Sequence, residues 1–62
     1  MSKLNLDPNL ADPDGFYAEL LERHASIDKA EADALNARLI LILANHIGDR
    51  KVLRAALDAA SK

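Results

Sequence analysis

The chain has 62 residues, half of them apolar, with ten carboxylates against eight lysines and arginines for a net charge of −2. That allows one domain at most, and a chain of this size hides only about 60% of the surface its unfolded form exposes. The absence of Cys excludes disulfides, thiolate metal sites and thiol catalysis, and the slightly acidic balance argues against a nucleic-acid footprint.

Phe16 and Tyr17 are the only aromatics, so any core must be built from Leu, Ile and Ala. Residues Met1 to Leu10 hold Asn5, Asp7, Pro8 and Asn9 and lack the apolar stretch of a signal peptide. The longest apolar run, Leu39 to Ala44, is six residues, against the roughly 20 that span a bilayer. A cytoplasmic protein is expected. Small domains without disulfides or metals are commonly completed by association, which leaves oligomerisation as the available staple.

In chain order, residues 1–11 read as an extended arm. Pro8 fixes its own φ and pushes Asp7 toward extended backbone. Leu4, Leu6 and Leu10 suggest that the arm lays leucines on a surface, either of its own subunit or of a neighbour. The first helix is predicted at about 13–25. Asp12 serves as N-cap, Pro13 sits where no N–H is needed, and Asp14 complements the positive end of the dipole. Phe16, Leu20 and His24 share one face with Leu21 beside them, and Glu19 and Arg23 are spaced for an i,i+4 ion pair.

The second helix is predicted at about 29–47. Asp28 followed by Glu31 approximates a capping box, with Ile27 placed to staple onto the first turn. Gly48 supplies the left-handed residue that closes the helix. Leu39-Ile40-Leu41-Ile42-Leu43 has strand propensity, but helical sequence flanks it and no second strand exists to pair with it. Asp49 caps a third helix at about 50–60. Its stripe of Val52, Leu53, Ala56, Leu57 and Ala60 lies opposite Arg50, Lys51, Arg54 and Asp58. The predicted fold is all-α: three helices in a single domain, the second longest and central.

That second helix is apolar on most sides. Leu35, Leu39, Ile42 and His46 share one face, Leu43 and Ile47 adjoin it, and Ile40 and Leu41 carry apolar character around the cylinder. Such a helix must be covered on most sides. Two short helices and an arm are expected to cover part of it and leave a patch of the kind that marks an interface. Arg38 and Asn45 lie seven apart with Leu41 between them, either as polar groups that set register within a contact or as the wet side of the helix. Asn36 lies on a different face and is given no role. The candidate interface is therefore Leu35, Arg38, Leu39, Ile40, Leu41, Ile42, Asn45 and His46.

No catalytic constellation is visible. Ser2, Ser26 and Ser61 sit at loop or terminal positions, and Asp12 and Asp14 serve the helix start. The two glycines, Gly15 and Gly48, make no phosphate loop. His24 and His46 lack neighbours at metal-ligand spacing, and both read as last-turn residues packing at the end of an apolar stripe. The short link before the basic third helix superficially resembles a helix-turn-helix. Arg50, Lys51 and Arg54 come without the Asn, Gln, Ser or Thr set that reads base edges. No enzyme, cofactor, metal, nucleic acid or membrane is expected.

The block Leu6-Asp7-Pro8-Asn9-Leu10-Ala11-Asp12-Pro13-Asp14-Gly15-Phe16-Tyr17 and the segment from Leu35-Asn36-Ala37-Arg38 through Asn45-His46-Ile47-Gly48-Asp49 together resemble a family of short bacterial proteins of unknown function. Members of that family are often encoded beside flavin-dependent aromatic hydroxylases and other aromatic-degradation enzymes. The resemblance implies an accessory role in that chemistry and no activity, and it makes Arg38, Asn45 and His46 the positions to test.

The expected function is that of a non-catalytic interaction or accessory protein. It would self-associate, a dimer being favoured, or bind a larger protein such as a flavin-dependent hydroxylase through the second helix. The alternative is a small-ligand or regulatory module in which Arg38 or His46 orients an acidic aromatic compound.

Overall fold

The computed structural model describes residues 3–62; Met1 and Ser2, the first residues of the arm, lie outside the described residues. Three helices follow the arm: α1 (Pro13–His24), α2 (Lys29–Ile47) and α3 (Arg50–Ala60). No strand occurs among the described residues, so the Leu39–Leu43 run is helical. The fold is all-α, and α1 ends one residue before the predicted limit, at His24, with Ala25 closing it.

The helix starts are set by aspartates. Asp12 Oδ1 accepts from the Gly15 N–H at 3.1 Å, Asp28 Oδ1 from Glu31 at 2.9 Å, and Asp49 Oδ1 from Lys51 at 2.9 Å and Val52 at 3.4 Å. Each bond satisfies a first-turn donor that has no partner inside its helix. At Asp28 the box is half formed: the backbone N–H of Glu31 donates to the cap, and no return bond from the Glu31 carboxylate is present.

Asp12 holds an unusual backbone, φ 49° and ψ 64°. Asp is among the few residues that visit this left-handed region without a large penalty. Its carboxylate then lies so close to Gly15 that a Cβ there would collide with Oδ2. Gly15 therefore gives the cap its room.

Gly48 closes α2 at φ 76°, its N–H donating to the Ala44 carbonyl at 2.9 Å. α3 opens two residues later. This left-handed joint turns the chain out of a 19-residue helix.

The helices scarcely pack. No described residue is buried, and the positions closest to a core (Leu20, Leu35, Leu39, Val52 and Leu53 among them) are only half-buried. The radius of gyration is 13.4 Å, against about 10.6 Å for a compact domain of this length. The chain exposes 5672 Å², whereas a folded monomer of its mass exposes about 3,900 Å² by the usual scaling.

The joint at Gly48 is open to substitution on steric grounds. A Cβ there would meet nothing closer than the Asn45 carbonyl oxygen at 3.8 Å. Gly48→Ala should therefore cost about 1 kcal/mol through backbone conformation alone. Gly48→Asn, better suited to the left-handed region, should cost less. Urea melts of the two variants measure the order; a Gly48→Ala variant as stable as wild type would show that the hinge angle is not fixed.

Candidate functional site

The surface of α2 is the candidate site, and it divides into three sectors. One faces α1. Leu35 and Leu39 are half-buried there, and with Phe16, Leu20 and Ile42 they floor a groove of about 340 Å³ between the two helices. Glu19, Arg23 and Arg38 stand on its rim. Glu19 and Arg23 do not make their expected ion pair. The one salt bridge among the described residues joins Lys29 Nζ to Asp33 Oδ2 at 2.9 Å, at an exposed position where such pairs add little.

His24, the last residue of α1, bonds across to α2. Its Nδ1 lies 2.7 Å from the Leu20 carbonyl oxygen and its Nε2 lies 3.0 Å from Asn36 Oδ1. A carbonyl can only accept, so Nδ1 carries a proton. Nε2 then either donates to Asn36 as imidazolium or accepts from the Asn36 amide turned over. His24 is thus a structural tie in the last turn of α1, and Asn36, assigned no role from its position in sequence, is its partner. Spacing carries no signal of this contact, because twelve residues and a turn separate the two.

The second sector lies under the arm. Leu43, His46 and Ile47 line one wall of an open cleft of about 960 Å³ whose other wall is residues 5–11 and Pro13. The arm runs beside α2 without sealing it: Leu4 is half-buried, whereas Leu6 is 77% exposed and Leu10 is exposed as well. His46 and Arg38 line different cavities. They do not converge on one ligand.

The third sector is uncovered. Ile40 and Leu41 are 65% and 69% exposed, with Asn45 exposed beside them, and Ile42, at the edge of the α1 groove, is 64% exposed as well. Fully burying a Leu or Ile is worth about 1.5–3 kcal/mol. At two-thirds exposure these three forgo together about 3–6 kcal/mol, against a whole stability of about 3–9 kcal/mol expected for a chain this long. Apolar side chains are also left out on the flanking helices: Tyr17 and Leu21 on α1, and Leu57, 68% exposed, on α3.

Among the described residues no group of three or more His, Asp or Glu is placed to hold a metal ion, and no helix is long and apolar enough to cross a membrane.

The sequence matches, over residues 4–62, a family described as "Protein of unknown function (DUF2783)". Because the match takes in nearly the whole chain, the protein belongs to that family. No curated protein and no solved structure matches it.

The His24 tie is testable by a double-mutant cycle. His24→Ala and Asn36→Ala should each cost about 1 kcal/mol, and the double variant should cost less than their sum by at least about 0.5 kcal/mol. Strict additivity in urea melts would mean that the two side chains do not bond.

Proposed function

We propose that this protein is a non-catalytic interaction subunit that is completed by association, first with its own kind, through α2. The single observation behind this reading is that none of the described residues is buried while Ile40, Leu41 and Ile42 stand two-thirds in water. A helix apolar on most sides is stable in water only when most sides are covered. The chain's surface exceeds that of a compact monomer by about 1,800 Å². The contact would take in Leu35, Arg38, Leu39, Ile40, Leu41, Ile42, Asn45 and His46, with the arm leucines at its edge. An accessory role beside an aromatic-degrading enzyme, such as a flavin-dependent hydroxylase, belongs to the same proposal: the assembled surface would be what the larger protein meets.

Sedimentation equilibrium over a wide dilution series, on wild type and Leu41→Glu, tests this. Leu and Glu have similar helix propensity, and Leu41 already faces water in the single chain. The substitution therefore leaves the helix intact and acts on association. Wild type should form a stable oligomer, and the variant should dissociate at least about a hundredfold more readily. A wild-type monomer at every concentration, or an oligomer indifferent to the Leu41→Glu substitution, contradicts the proposal.

A second reading has one observation in its favour: Arg23 and Arg38 flank the apolar floor of the α1–α2 groove. An amphiphilic acid, such as an aromatic carboxylate, would set its ring on Leu20, Leu35 and Leu39 and its charge between the guanidiniums. Millimolar benzoate-type acids should then raise the thermal midpoint, and Arg38→Ala should abolish the rise. No shift at that concentration counts against it.

A further inference from the structure

We infer that in the assembled protein the arm of one copy lies in the α1–α2 groove of the other, with Leu6 and Leu10 on the groove floor and Asp7 beside Arg38. This rests on the self-association just proposed and names the segment that each copy gives to its partner.

The arm finds no full seat on its own chain. Leu6 is 77% exposed and Leu10 58%, although a tethered segment is offered to its own surface at about millimolar effective concentration. The same chain carries the groove, yet no described arm residue lines it. The reason lies at Asp12. Its left-handed backbone, held by the cap bond from Gly15, fixes how the chain enters α1. Residues 5–11 and Pro13 then run beside Leu43, His46 and Ile47. The arm is thereby turned away from its own groove.

The fit to a neighbour's groove is one of length and character. Leu6 and Leu10 are four residues apart, at most about 13 Å of extended chain. The groove floor on α2 runs from Leu35 to Ile42, seven residues of helix or about 10 Å. Phe16, Leu20 and Leu39 complete an apolar surface for two leucine side chains. The arm between them is already restrained: the Asp7 N–H donates to Asn5 Oδ1 at 2.9 Å, and Pro8 fixes its own φ. Less ordering remains to be done on docking.

Charge agrees. The groove rim holds two cations, Arg23 and Arg38, against one carboxylate, Glu19. None of the three takes part in the one salt bridge among the described residues. Asp7 is the only charged residue between Leu6 and Leu10, and it too lacks an ion pair there. Seating the two leucines carries this carboxylate to the guanidinium rim, where a charge-assisted hydrogen bond can form. Exchange of an identical element is a low-cost route to dimers, and a reciprocal exchange is isologous and closes at two copies.

The test is a charge swap divided between two full-length chains, Asp7→Arg and Arg38→Glu. Both side chains are exposed, and Arg and Glu have similar helix propensity, so each variant keeps its fold. Sedimentation equilibrium is run at about 0.15 M NaCl, where charges not in contact are largely screened. Each variant alone sets like charges together at both grooves and should dissociate at least about tenfold more readily than wild type. An equimolar mixture should recover most of that loss, because in the mixed dimer each groove receives an arm of opposite charge. Variants that associate like wild type, or a mixture no tighter than its components, overturn the arm exchange and leave self-association standing. Recovery in a chain carrying both substitutions but not in the mixture places the arm in its own groove and overturns the exchange as well. A wild type that is monomeric at every concentration removes the self-association beneath it.

Discussion

Everything else in this molecule is arranged around the burial of α2, and one chain does not supply it. Leu35, Leu39, Ile40, Leu41, Ile42, Leu43 and Ile47 point around most of the cylinder. The surface available to cover them is two helices of 12 and 11 residues and a short arm. α1 reaches one side and leaves a groove; the arm passes a second side and leaves a cleft. The third side has nothing. Surface-to-volume scaling makes any domain this small marginal, and concentrating the apolar residues in one central helix makes the shortage local.

Against that shortage, the local chemistry of the helices is well satisfied. Three aspartates bond first-turn amides, Gly48 returns its N–H to Ala44, and Ser61 donates its hydroxyl to the Leu57 carbonyl at 2.7 Å. These bonds fix where each helix begins and ends. They do not fix how the helices sit against one another. That task falls to His24 and Asn36 and to half-buried leucines, which is a light set of restraints for a free-standing domain.

What was legible in sequence follows the same division. Asp12, Asp28, Asp49 and Gly48 announce helix limits because capping is decided within three or four residues. The uncovered Ile40 to Ile42 segment was legible because helical periodicity alone shows a cylinder apolar on too many sides. Contacts between helices were not. The His24–Asn36 tie depends on the angle at residues 25–28, and the Glu19–Arg23 pair failed because i,i+4 spacing permits a contact without enforcing one. The separation of Arg38 from His46 is of the same kind. They lie on one helix, and only the placement of α1 and the arm assigns them to different cavities. Asp12's left-handed backbone and the room that Gly15 gives it were hidden because neither residue type is unusual at a helix start.

Whether a second copy completes this fold is read most directly from the concentration dependence of unfolding. Mass action stabilises a dimer that unfolds to separate chains by about 1.4 kcal/mol for each tenfold rise in protomer concentration. The urea midpoint, followed by circular dichroism from micromolar to millimolar chain, should therefore climb steadily. A sharp, cooperative transition whose midpoint stays constant over that range would mean that the single chain holds its own fold, and completion by a second copy would be wrong.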